Sequence, residues 1–84
     1  MTGERYATVS VGQPIQKVVK RFGQPYQIEK LADGSYHYIY IQRVRLPTGE
    51  LRDRHYIFVV KDGCIQDKYF YEEGQRSIDI DLGN

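Results

Sequence analysis

The chain has 84 residues, 40% hydrophobic and 27% charged, a composition that fits one globular domain with one modest core. Its formal net charge of +1 argues against wholesale neutralisation of nucleic-acid phosphates. The single cysteine, Cys64, forms no internal disulfide and is expected to be a small buried hydrophobe at a strand start.

Eight tyrosines and three phenylalanines stand beside no tryptophan, a bias suited to pleated sheets and partly wet binding surfaces. No Cys/His cluster has metal-ligand spacing, and no Gly-rich phosphate loop is present, so neither a metal nor a cofactor is expected. No apolar run approaches the roughly 18 residues of a membrane helix. A basic-then-apolar signal segment is also missing from the sequence, so any leader would lie upstream of Met1.

Residues 1–10 are polar with apolar points at Tyr6, Ala7 and Val9, and read either as an irregular lead-in or as one extra helical turn. Val11 is placed to staple the first turn of the helix that follows. From Val11 to Pro25 the chain spells one short amphipathic helix with punctuation at both ends. Ile15, Val18, Val19 and Phe22 share a face at i, i+3, i+4 and i+7. Pro14 suits the first helical position, and Lys20 and Arg21 sit in the last turn against the negative end of the dipole. Gly23 supplies a left-handed cap and Pro25 stops the helix from resuming. So short a helix is unstable alone and must dock on the strands that follow.

Tyr26 to Leu31 reads as a short extended piece, and Ala32-Asp33-Gly34-Ser35 as a turn. Tyr36 to Leu46 is the longest strand signal, dense in aromatic and β-branched residues. Pro47-Thr48-Gly49-Glu50 turns the chain into a second strand, Leu51 to Val60. Asp62-Gly63 then fits a type I′ hairpin turn, and Ile65 to Tyr71 returns as a third strand. Ile78-Asp79-Ile80-Asp81-Leu82 alternates as an edge strand would. The expected fold is α+β: one or two short helices packed on a three-stranded, or with the tail four-stranded, antiparallel meander. It forms one domain over residues 1–84 with its core at about 9–71, and residues 74–84 make a tail or extra edge strand.

A first loop of two or four residues pairs Leu46 with Leu51, Ile41 with Tyr56 and Ile39 with Phe58. The second turn then pairs Val60 with Ile65 and Tyr56 with Tyr69. One face would carry Ile39, Ile41, Tyr56, Phe58, Val60, Ile65, Tyr69 and Tyr71. The other would carry Tyr36, Tyr38, Tyr40, Val44, Ile57, Val59 and Phe70. A bulge or a three-residue loop inverts this parity. In either register both faces are apolar, and one short helix covers only one of them. We weigh a protein partner or a second copy ahead of the terminal segments as the cover for the other face. Tyr36, Tyr38, Tyr40, Ile57, Val59 and Phe70 are the candidate partner-binding residues.

The same register sets Arg45 opposite Arg52 and Arg43 opposite Arg54. A solvated hairpin tip, offset by Glu50 and Asp53, is favoured over a site for an anion or an acidic partner. Catalytic residues do not emerge. His37 and His55 read as packed or half-exposed sheet residues, and Ser10, Ser35 and Ser77 have no base at recognisable spacing. Glu72-Glu73 and Asp79/Asp81 read as solvated carboxylates.

The order Val11-Gly12-x-Pro14-x-x-x-Val18-x-x-x-Phe22-Gly23-x-Pro25 resembles the opening of the SmpA/OmlA (BamE-like) outer-membrane assembly lipoproteins. Tyr36-His37-Tyr38 resembles that family's aromatic-x-Tyr strand, and Val60-Lys61-Asp62-Gly63-Cys64-Ile65 its Phe-x-x-Gly-x-Val hairpin. Gln13-Pro14 replaces the family's Met-Thr, which removes a capping hydroxyl, and Val60 replaces the Phe. The resemblance covers most of residues 9–71 and, with the helix-start reading of Pro14, gives structural roles to Gly12, Pro14, Val18, Phe22, Gly23, Pro25 and Gly63. It implies a helix–helix–three-strand fold shared with β-lactamase-inhibitor-like domains. It also implies a non-catalytic protein-binding domain of the bacterial envelope, periplasmic or outer-membrane-associated behind an upstream leader and otherwise cytoplasmic. Anionic lipid head groups are a further partner class under that resemblance. The alternatives are an enzyme-inhibitor-like domain of the same fold and a cytoplasmic nucleic-acid or anion binder. The near-neutral charge counts against the last.

Overall fold

A computed structural model describes residues 1–73. Two short helices, α1 (Gly3–Ala7) and α2 (Ile15–Phe22), precede four strands: β1 (Gln27–Lys30), β2 (Tyr36–Arg45), β3 (Leu51–Lys61) and β4 (Cys64–Glu73). The strands form one antiparallel meander in the order β1-β2-β3-β4. The architecture is α+β as expected. The fourth strand, however, is the short piece after Pro25, which pairs with β2 from Gln27–Ile39 to Lys30–Tyr36. The alternating segment 78–82 lies outside the described residues.

Thr2 caps α1 by accepting the Arg5 N–H at 3.2 Å. At α2 the boundaries are nearly those the spacing predicts, but Pro14 is the extended residue before the helix rather than its first turn. No side chain caps this end. The main chain docks on the β3–β4 hairpin instead. Gly12 N–H donates to the Ile65 carbonyl (2.7 Å), Ile65 N–H to the Gln13 carbonyl (2.8 Å), and Ile15 N–H to the Gly63 carbonyl (3.0 Å). Asp62 and Gly63 have φ of 53° and 78°, the pair of positive angles a type I′ turn demands. Two expectations fail around this junction. Val11 is 56% exposed and staples nothing, because the chain turns outward before it reaches the hairpin. Cys64 is exposed because its neighbour Ile65 takes the core side, which turns Cys64 to the side away from the helices at the end of the hairpin.

The core lies between the helices and one sheet face. Val9, Ile15 and Val18 pack on Tyr40, Tyr56, Phe58, Val60 and Ile65, with Tyr6, Val19, Phe22 and Tyr38 partly buried at its margin. Each fully buried aliphatic or aromatic side chain contributes about 1.5–3 kcal/mol of transfer free energy, so this set anchors both helices. Tyr6 of α1 lies against Tyr56, Phe58 and Phe70, with ring centroids 5.1, 5.8 and 5.7 Å away.

The pairing of β2 with β3 differs from the two- or four-residue-loop expectation by one residue. Pro47-Thr48-Gly49 makes a three-residue loop, closed by Gly49 N–H to the Leu46 carbonyl and Leu46 N–H to the Glu50 carbonyl, each 2.8 Å. Gly49, at φ 92°, takes the positive angle that such loops place last. Tyr40 therefore faces Tyr56, Ile39 faces Ile57 and Arg43 faces Asp53. A second irregularity follows in β4, where Val60 pairs with Ile65 but Val59 pairs with Asp67. Gln66 is the extra residue of a bulge, and it turns every later side chain of β4 to the other face. Tyr56 thus pairs with Phe70 rather than Tyr69.

After α2, Gly23 adopts φ 94° and ψ −178°, a region that essentially only glycine occupies. Its carbonyl accepts a 2.7 Å hydrogen bond from the buried Tyr40 hydroxyl. Replacing Gly23 with Ala should cost roughly 1–3 kcal/mol although no atom lies within 4 Å of the added Cβ, because the strain is conformational. Urea unfolding of the variant measures this. Burial raises the Tyr40 phenol from 10.0 to about 12. Its contribution to stability is fully present below pH 10 and is lost as pH rises through 12. Tyr40→Phe should cost about 1 kcal/mol at neutral pH through the lost hydrogen bond, and should flatten the alkaline decline in melting temperature.

Candidate functional site

The two irregularities give the sheet faces of different character. Strand alternation places His37, Ile39 and Ile41 of β2, His55, Ile57 and Val59 of β3, and Tyr69 and Tyr71 of β4 on the face away from the helices. No helix lies on this face among the described residues. Ile57 is only 3% exposed there, flanked across the strands by Ile39 and Tyr69. At the rim Tyr69 and Tyr71 are 43% and 47% exposed, and Tyr26, just before β1, is 72% exposed.

Rings organise the surface. His55 stacks on Tyr71 with centroids 4.8 Å apart and planes 20° apart, and its Nε2 lies 3.2 Å from a Glu73 carboxylate oxygen. His37 meets Tyr69 edge-on at 6.3 Å. Burial, and next the Glu73 charge, raise the Tyr71 phenol above its ordinary value. Between Tyr26, Ile39, Ile57 and Tyr69 runs an open concavity of about 220 Å³. That is below the roughly 300–1,000 Å³ of small-molecule sites, and its shape is that of a contact surface. The rim mixes carboxylates with cations: Glu29, Asp53, Asp67 and Glu73 stand on this face together with Arg43 and Arg45. Among the described residues no group of three His, Cys, Asp or Glu side chains is placed to hold a metal.

The six residues expected to bind a partner fall on both faces. Ile57 and Val59 belong to the open face. Tyr36, Tyr38, Tyr40 and Phe70 belong to the helix face, where Tyr40 is buried, Tyr38 packs against the core, and Tyr36 and Phe70 are exposed at 37% and 53%. His37, Ile39, Ile41, His55, Tyr69, Tyr71 and Tyr26 were not singled out as partner-binding residues. Ile39, Ile41, Tyr69 and Tyr71 share a face in the sequence reading as well; Gly49, whose position favours a three-residue loop, is the signal that joins His55 and Ile57 to them.

The arginines are likewise redistributed. Arg43 and Arg45 stand on the open side and Arg52 and Arg54 on the helix side, opposite Asp53, Leu51, Val44 and Gln42 in turn, so no two arginines face each other. Arg43 Nε bonds Asp53 at 3.0 Å, and Arg45 Nη1 bonds the Gly49 carbonyl at 3.3 Å. Arg52 lies 3.7 Å from Glu50 and 4.0 Å from Glu72. Arg54 grips Glu72 through two nitrogens, its Nε at 2.9 Å, and reaches the Tyr56 hydroxyl, which donates in turn to Gln42 at 2.7 Å. These bonds, the Tyr56 hydroxyl first and Glu72 next, raise the Arg54 pKa further. Three of the four charges are thus met by carboxylates of β3, β4 and the loop before β3.

Compared with models of known families, with curated proteins and with solved structures, the chain matches none. The SmpA/OmlA resemblance therefore rests on the motif residues themselves.

If the hairpin carboxylates occupy the arginines, the wild-type chain should elute from heparin at low salt. Asp53→Asn combined with Glu72→Gln, which frees Arg43 and Arg54, should elute at distinctly higher salt. Equal elution of the two would show that the ion pairs do not restrain anion binding.

Proposed function

We propose that this chain is a non-catalytic protein-binding domain whose contact surface is the sheet face opposite the helices. The observation that carries the reading is the run of isoleucine, histidine and tyrosine across β2, β3 and β4 on that face. An antiparallel sheet that serves only as a platform for helices presents polar residues there. Aromatic side chains around a desolvated aliphatic centre are the composition of interface hot spots. The rim of mixed charge around an apolar centre suits a protein partner, and the near-neutral chain is poorly matched to nucleic-acid phosphates. The motif resemblance to SmpA/OmlA lipoproteins supports a bacterial envelope setting, with partner proteins of outer-membrane assembly as the class to examine first. An inhibitor-like role would use the same surface, and the identity of the captured partner separates the two.

Site-specific photo-crosslinking tests the surface. A photoreactive phenylalanine at Tyr71 should give one discrete adduct in the host cell, lost when Ile41→Asp is added. The same probe at Lys17, on the exposed side of α2, should give none. Adducts from position 17 alone would move the binding surface to the helices.

A further inference from the structure

We propose that two copies of this chain pair through the free edge of β4, antiparallel and centred on Phe70, to form one continuous sheet. The inference rests on the main chain of the edge and is independent of how the open face is used. The sheet has two edges. β1 is four residues long, whereas β4 is ten. The start of β4 is covered, because Ile65 exchanges hydrogen bonds with Gly12 and Gln13. Ile65 thus points its N–H and carbonyl outward, and after the extra residue Gln66 the outward positions are Lys68, Phe70 and Glu72. The Lys68 N–H agrees with this, since it is taken up by the Asp67 carboxylate at 2.8 Å. Among the described residues no segment lies against the edge from Asp67 to Glu73.

Natural edges are blunted by proline, by charges at their centre or by bulges within them. This edge has its bulge before the free stretch, no proline, and three consecutive aromatics at its centre, all exposed: Tyr69 43%, Phe70 53% and Tyr71 47%. Because they alternate between faces, both sides of the edge are apolar. The flanking charges select the occupant. On the helix face Lys68 and Glu72 stand two residues either side of Phe70. A two-fold axis at Phe70 therefore sets Lys68 beside Glu72 of the second copy, twice, and Phe70 beside its own copy. On the open face it sets Tyr69 beside Tyr71 of the second copy, twice. Sliding by two residues in one direction drives the edge into residues 12–15, and in the other it shortens the ladder. Only the Phe70-centred register uses the whole stretch 67–73. Four features oppose the pairing: Asp67 comes near Glu73 of the second copy, its carboxylate must release the Lys68 N–H, Lys68 Nζ already donates to the Tyr6 carbonyl at 3.0 Å, and Glu72 is already held by Arg54.

Light scattering on the full chain across a concentration series should show the mass rising from 9.9 kDa toward twice that value. Lys68→Glu and Glu72→Lys should each weaken association at least ten-fold. An equimolar mixture of the two should restore it, since both cross-copy pairs are then complementary. Asp67→Ala should tighten association several-fold by removing the competing acceptor and the like charge. Because Glu72→Lys also disturbs Arg54, amide exchange on the wild-type chain gives an independent readout. The Phe70 and Glu72 amides should slow only at concentrations where the dimer forms. A chain that stays monomeric with those amides fast would overturn the proposal. A monomer with those amides slow would do the same by assigning the edge to residues 74–84, and a dimer with them fast would assign association to another surface.

Discussion

The structure depends on three backbone hydrogen bonds between residues 12–15 and the β3–β4 hairpin. α2 has eight residues, too few to persist alone, and no side chain caps its start. The Asp62-Gly63 turn supplies what is missing. The backbone that closes the hairpin also presents the Gly63 carbonyl to the Ile15 N–H, so strand pairing and helix placement are one event. With Ile15 fixed there, Val18 lands in the core one turn later and Phe22 at its margin. Gly23 then directs the chain into β1, held by Tyr40 from the sheet. The helix is pinned at both ends by the strands it covers.

The distribution of tyrosine follows from this arrangement. Tyr40 and Tyr56 are buried, and each hydroxyl has an acceptor, the Gly23 carbonyl and the Gln42 side chain. Tyr6 joins them at the margin, with Lys68 Nζ 4.4 Å above its ring and bonded to its carbonyl at 3.0 Å. Tyr26, Tyr69 and Tyr71 present their rings to solvent on the other side. One residue type thus serves as core filler with a polar handle and as surface anchor, which is how a chain without tryptophan builds both.

Much of the fold was legible in local chemistry, and what escaped was parity. The α2 stripe is a 3.6-residue pattern with glycine and proline at its end, and Asp62-Gly63 is a turn dipeptide with few alternatives; both read correctly because their causes lie within a few residues. Pro47-Thr48-Gly49-Glu50 admits two, three or four loop residues, and the choice decides which neighbours face each other along the whole of β2 and β3. The bulge at Gln66 carries no glycine to announce it, so Tyr69 and Tyr71 are expected beside Tyr56 rather than Ile57; between β2 and β4 the two parity errors cancel, and Phe70 shares a face with Tyr36, Tyr38 and Tyr40 as expected. β1 was visible as an extended piece, but its place in the sheet is a tertiary fact. The candidate site suffered most, because a face is defined by parity and by nothing local. Cys64 failed for a related reason: Ile65 takes the core side, so the residue beside it takes the other.

The three-residue loop at Pro47-Thr48-Gly49 has a consequence for how such a chain tolerates changes of length. Exposed loops usually absorb insertions and deletions freely. Here one residue gained or lost would exchange inside for outside between the first two strands and the last two, bringing Ile39 and Ile41 beneath the helices and turning Tyr40 to the open face. Two residues gained would leave every side chain on its own side. The loop acts as an odd-even counter, free in composition and constrained in number.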